Sequence, residues 1–154
     1  MAVRIQTEPF DPGAETNLFL KASQGAGAAV TFTGLVRSDP RAALTTLTLE
    51  TYKEMAISQI TALEAEAVAR FGLLRSTVIH RYGALRPGEP IVQVMTLAPH
   101  RQAAFEAAQF LMDHLKTDAP FWKKESGVHG DHWVEHNGGD DDAKKRWERY
   151  DKRE

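Results

Sequence analysis

Two lysines seven residues apart, Lys116 and Lys123, bracket the densest cluster of chemically able side chains in this 154-residue chain. Between and beside them stand Pro120, Phe121, Trp122, Lys124 and Glu125. Two readings are open. One is a helix end, where the backbone dipole favours cations, with the aromatics stapled into a core. The other is an anion pocket with a lysine available for proton transfer. A free lysine titrates near ~10.4 and is a poor base at neutral pH. Partial burial beside other cations would lower that value and make the amine useful.

A second cluster is Pro99-His100-Arg101. Proline opens a helix there, and helix N-termini favour anions such as phosphate. Arginine can hold phosphate oxygens through two parallel hydrogen bonds. A solvated first turn is the alternative. A third is residues 31–37, TFTGLVR, where a strand passes Gly34 and ends on Arg37. Glycine within a strand marks either close approach of a backbone or ligand, or an edge bulge. His129, His132 and His136 invite a metal reading, but their spacing does not put all three on one strand face. No carboxylate pattern completes a known site, so no metal is expected. Walker, GxGxxG and nucleophile-elbow motifs are absent.

The elements that must position these clusters follow from periodicity. Residues 3–7 alternate as a short strand. Asp11 is placed to cap a helix with Pro12 at its first position, running to about residue 22. The β-branched run 28–36 and the alternating 44–52 predict two strands, taken to share one sheet, with a polar loop at 37–42. Helical spacing covers 58–71 and 100–116, and Pro120 stops the second helix. Phe105, Ala108, Leu111, Met112 and Leu115 fall on one face of it. Strands are predicted at 77–82 and 91–97, joined by a Gly- and Pro-rich connection, and at 128–135. This order predicts an α+β fold with helices packed on a mostly antiparallel sheet.

Composition sets the remaining bounds. The length suits one domain, 1–154, with a charged tail at about 138–154 that is expected to be solvated. A net charge of −2 with no basic stripe argues against a nucleic-acid-binding α+β domain. No apolar run is long enough for a membrane helix. The N-terminus lacks a signal-peptide pattern, so the cytoplasm is the expected location. The chain has no cysteine. Disulfides, Cys-based zinc sites and thiol nucleophiles are excluded together. Sulfur, if the protein moves it, cannot ride on this chain as a persulfide.

Five segments taken together resemble one family. They are VTFTGLVR (30–37), LTLETY (47–52), VIHRYGALRPGE (78–89), APHRQAAFEAAQFLMDHLKTDAPFWKKE (98–125) and GDHWVE (130–135). In this order they are similar to the catalytic, large subunit of molybdopterin synthase. The resemblance implies an α/β hammerhead-like fold with an antiparallel β subdomain. It implies a sulfurtransferase that converts cyclic pyranopterin monophosphate to molybdopterin, with no cofactor. Two sulfurs are added, each from the C-terminal Gly-Gly thiocarboxylate of a small ubiquitin-like sulfur-carrier subunit. The implied assembly is a homodimer of large subunits at the centre of a heterotetramer.

Carried over by position, the resemblance implies Lys116 and Lys123 as catalytic residues. It implies Leu35, Val36, Arg37, His100, Arg101, Lys124 and Glu125 around the substrate, with Phe32 and Met112 as apolar walls. At Leu35 the family often has a basic residue, so the contribution expected here is from the backbone. The rival within this resemblance is a non-catalytic docking protein for a ubiquitin-like partner, which could dispense with the lysine pair. Arg101 and Lys116 are 15 residues apart on one predicted helix, roughly 22 Å. A pterin phosphate is much shorter, so a site shared between two dimer mates is expected.

Overall fold

Asp11 and Pro12 start a helix as their types require. The Asp11 carboxylate accepts hydrogen bonds from the Gly13 and Ala14 N–H groups, at 2.9 and 3.2 Å, which satisfies two otherwise unpaired donors. The computed structural model describes residues 2–37, 44–118, 120–127, 130–134 and 138–151. In chain order its elements are β1 (Ala2–Gln6), α1 (Pro12–Phe19), β2 (Ala28–Leu35), β3 (Leu44–Thr51), α2 (Lys53–Phe71), β4 (Arg75–Arg81) and β5 (Gly83–Leu85). They continue with β6 (Pro90–Ala98), α3 (Arg101–Asp118), β7 (Phe121–Gly127), β8 (Gly130–Trp133) and α4 (Gly138–Asp151).

The fold is α+β, but the strands form two sheets. Sheet one runs β1-β4-β6-β2 and sheet two runs β5-β3-β7-β8. Among the described residues only the β1–β4 pair is parallel. The expectation that β2 and β3 share a sheet is therefore wrong. Each finds a partner far along the chain, β2 on β6 and β3 on β7, and local alternation carries no information about such pairings. The polar loop at 37–42 lies, beyond Arg37, outside the described residues.

Sheet one is covered on both faces. Val78, Val92 and Val94 pack with Ile60 and Ala67 of α2 and with Ala104, Ala107, Phe110 and Leu111 of α3. On the other face Ile79, Met95 and Leu97 meet Phe19 of α1. Gln93 fastens α1 by donating to the Pro12 carbonyl, at 3.0 Å, and to Thr16 Oγ1. Gly83 makes the corner between the sheets, at φ 89°, a conformation open to glycine at little cost. From there β5 pairs with β3, a strand that the turn-rich composition hid.

Other expectations are revised. α1 ends at Phe19 rather than near 22, and α2 begins at Lys53 rather than 58. Phe105 is 62% exposed instead of sharing the buried face of α3. β7 was read only as a lysine-bearing segment after the helix. The charged stretch after residue 138 is helix α4, not simply a solvated tail. Asp142, Lys145, Arg146 and Glu148 are exposed as expected, but Trp147 is buried against Phe71 and Phe110. Its indole N–H donates to Asp113 of α3 at 2.8 Å. Replacing a buried aromatic by alanine typically costs about 3 kcal/mol. Trp147→Ala should therefore lower the unfolding free energy by about that much in a denaturant titration. An unchanged midpoint would mean that α4 adds nothing to the core.

Candidate active site

Lys116 stands in the last turn of α3 and is exposed. The chain then passes Pro120, whose carbonyl accepts from Thr51 Oγ1 at 2.7 Å, and enters β7. Along β7, Phe121, Lys123 and Glu125 share one face and Trp122 and Lys124 the other, by the two-residue period of a strand. Lys123 pairs with Leu49, and Glu125 with Leu47. Directly opposed residues share a face, so Lys123 lies on the face that buries Leu47, Leu49 and Leu85. It is nonetheless exposed. Solvent reaches this face at Lys123.

His80, at the end of β4, joins the two lysines. Its ring stacks on Phe121, with centroids 3.9 Å apart and planes 14° from parallel. Its Nδ1 lies 2.8 Å from the Arg81 carbonyl oxygen. A carbonyl can only accept, so this contact assigns the proton to Nδ1 and the lone pair to Nε2. Burial lowers the pKa of His80 to about 4, and the charges of Lys123 and Lys116 push in the same direction. The hydrogen bond to Arg81 opposes them. Both ammonium groups thus act on one neutral imidazole.

The structure distributes the other candidates over β7, the core face of α3, the end of β2 and the start of α3. Lys124 and Glu125 follow Lys123 on β7, and Lys124 approaches Asp131 at 3.6 Å across an exposed pair, an interaction worth little in water. Met112 lies one helical turn before Lys116 but is buried in the main core. Phe32, Leu35 and Arg37 are exposed on or just after β2. Val36 is different. Its side chain packs with Leu47, Leu49 and Leu85. Its N–H donates to the Glu89 carbonyl at 2.9 Å, and its own carbonyl accepts from Gly88 at 2.8 Å. Val36 therefore pins the exit of β2, and with it Arg37, onto sheet two. His100 and Arg101 are exposed at the opposite end of α3, roughly 22 Å from Lys116. The charges of Lys116 and Lys123 both reach His80, whereas His100 and Arg101 stand at the other end of α3 from Lys116.

His129 and His136 lie outside the described residues, as does the side chain of His132. Among the described residues no group of three His, Cys, Asp or Glu side chains could hold a metal ion. Two cations on separate elements can bind an anion and stabilise negative charge that develops on a reacting oxygen.

A family model described as MoaE protein matches residues 5–118. The chain belongs to the MoaE family. It is 50% identical over 152 residues to the molybdopterin synthase catalytic subunit of Rhizobium meliloti (strain 1021), covering 97% of each chain. Among solved structures, a molybdopterin biosynthesis MoaE protein from Burkholderia ambifaria MC40-6 superposes with a TM-score of 0.81. It is 40% identical, covering 96% of this chain and 98% of that one. The molybdopterin synthase from Staphylococcus aureus gives 0.78 at 28% identity, over 86% and 96% of the two chains. The MoaE-family match ends at Asp118, and the alignment to the Rhizobium relative extends past it through β7.

In this MoaE-family chain, sequence reasoning passed over His80 although it lies in the quoted segment VIHRYGALRPGE. A signal was present. His80 shares strand parity with Val78, which faces α2 and α3, and a polar ring at an inward strand position needs a reason. The measurable consequence is acid sensitivity. The folded pKa of about 4 lies below the ordinary 6.5. As pH falls, the unfolded chain therefore takes up this proton first, and stability is lost between about 6.5 and 4. Unfolding free energies across that window should decline less for His80→Phe than for wild type. Equal slopes would mean that His80 titrates normally in the fold.

Proposed function

We propose that this MoaE-family chain is the catalytic subunit of a molybdopterin synthase, a sulfurtransferase that converts cyclic pyranopterin monophosphate to molybdopterin. Two sulfurs come from the C-terminal thiocarboxylate of a small ubiquitin-like sulfur-carrier subunit. Two large subunits pair at the centre of a heterotetramer, and we place the reaction in the cytoplasm. Residues 1–154 are taken as one large-subunit domain with the charged stretch at about 138–154 as its tail. Among the described residues no helix is long and apolar enough to cross a membrane.

The observation that carries the catalytic reading is the convergence of Lys116 and Lys123 on one neutral imidazole from two separate elements. Removing sulfur from an acyl carbon builds negative charge on the carbonyl oxygen. Lys116 is assigned to that oxygen, as charge stabiliser or proton donor. Lys123 holds the substrate and shares the developing charge. Arg37, Lys124 and Glu125 edge the pocket, with Leu35 and Val36 in the adjoining backbone and Phe32 and Met112 as apolar neighbours. The docking alternative has no use for two converging lysines.

His100 and Arg101 receive the pterin phosphate on this reading. Their separation from Lys116 assigns them to the site of the dimer mate. Lys116→Ala should reduce dithiolene formation at least about a hundredfold, with binding of the thiocarboxylated small subunit intact. Full activity in that variant would remove Lys116 from catalysis, and no product from wild type in a verified complex with its small subunit would return the docking reading. Lys116→Ala and Arg101→Ala chains, each inactive alone, should regain activity when co-assembled as verified mixed dimers. Mixed dimers that stay inactive would sink the shared site.

A further inference from the structure

The link from α3 to β7 carries both lysines and crosses from one sheet to the other. Lys116 ends the helix that packs on sheet one, and Lys123 belongs to sheet two. The spacing of the two ammonium groups therefore depends on how this short link is held. Its α3 end is tied to α4 by Lys144 on Asp118, at 2.7 Å, and its β7 end is laddered on β3, with the Thr51 hydroxyl on the Pro120 carbonyl. The contact that ties it to sheet one is the His80 ring on Phe121, five residues after Lys116 and two before Lys123.

His80 is a fixed point. β4 is laddered on both sides, and His80 stands opposite Ile5 of β1 and Val92 of β6. Its ring is oriented by the Arg81 carbonyl. The neighbouring Arg81 is buried, and its guanidinium donates to the Thr7 carbonyl and to Glu89, the latter at 2.8 Å. Phe121 shares the face of Lys123 by strand parity, so the stack fixes the start of β7 two residues before the lysine. The charges that act on the imidazole are those of Lys123 from β7 and Lys116 from α3, while Arg81 meets it through its carbonyl and turns its guanidinium to Glu89 and Thr7. Both lysines are cations, and an uncharged ring adds no repulsion to them.

The geometry points to His80 as a positioning residue for the lysine pair: stacked on Phe121, it holds the link between α3 and β7 and so sets Lys116 against Lys123. This rests on the reading of the two lysines as catalytic. It assigns His80 no contact with substrate. An imidazole with so low a proton affinity cannot relieve lysine of a proton, so its contribution is placement.

The test compares His80→Leu, which fills the space without a ring, with His80→Phe, which restores a ring to stack. Each is assembled with thiocarboxylated small subunit, and turnover of cyclic pyranopterin monophosphate is normalised to folded complex. A misplacement of about 1 Å in a catalytic group can cost up to about a hundredfold. His80→Leu should lose at least about tenfold in kcat with KM within about twofold, and His80→Phe should recover to within about threefold of wild type. A second readout needs no turnover: the pH dependence of acetic anhydride labelling at Lys116 and Lys123, followed by mass spectrometry. Both profiles should shift in His80→Leu and return in His80→Phe. Wild-type kcat per folded complex in His80→Leu, even with a poor folded yield, would make the histidine merely structural and overturn the proposal. So would His80→Phe profiles as disturbed as those of His80→Leu. The Lys116→Ala control separates the two failures. Its full activity would remove Lys116 from catalysis, while the labelling profiles would still decide whether His80 places the two lysines.

Discussion

A helix buried along most of its length can offer a ligand little besides its ends. α3 is in that position. Ala104, Ala107, Ala108, Phe110, Leu111, Met112, Asp113 and Leu115 are all buried, and its neighbours are sheet one, α2 and α4. Three alanines let those neighbours come close, and the Thr96 hydroxyl donates to the Ala104 carbonyl at 2.7 Å inside the contact. Exposed at the two ends are His100, Arg101 and Gln102 on one side and Lys116 and Asp118 on the other. The length of α3 thereby fixes the distance between the His100–Arg101 end and the lysine end. Nothing short of remaking the core could change it.

The lysine end is built at a seam. Sheet one contributes His80, sheet two contributes Phe121 and Lys123, and α3 contributes Lys116. The seam is apolar beneath, where Val36, Leu47, Leu49 and Leu85 are buried together, and cationic above. The two lysines raise the local electrostatic potential, and among the described residues no group of three metal-ligating side chains is present to do so. The seam also explains the neutral histidine. Burial alone disfavours imidazolium, and two ammonium groups add to that penalty. A protonated ring there would repel both lysines.

Much of this was legible in the sequence, for local reasons. Asp11-Pro12 announced α1 through capping chemistry, and Pro99 and Pro120 bracketed α3. The β-branched residues of 28–36 and 91–97 marked β2 and β6. What stayed hidden depends on partners distant in the chain. β5 is three residues long and takes its identity from Leu47, Thr48 and Leu49. β7 holds Lys123, Lys124, Glu125 and Ser126, poor strand formers that become a strand because β3 and β8 flank them. α4 looked like a solvated charge run because a single tryptophan anchors it. Of the site, the residue types and the lysine pair were readable in a familiar segment. The role of His80 was not, since its stack joins residues 41 positions apart (121 − 80) across two sheets.

The Trp147 contact bears on how the protein is made. The indole closes a ring of aromatics with Phe71 and Phe110, and the Arg70 guanidinium lies over all three. Every described strand precedes α4. Both sheets can therefore pair, and α2 can meet α3, without any residue of α4. The apolar surface between those helices stays open until α4 docks, and a chain caught before that step is nearly folded yet adhesive at one spot.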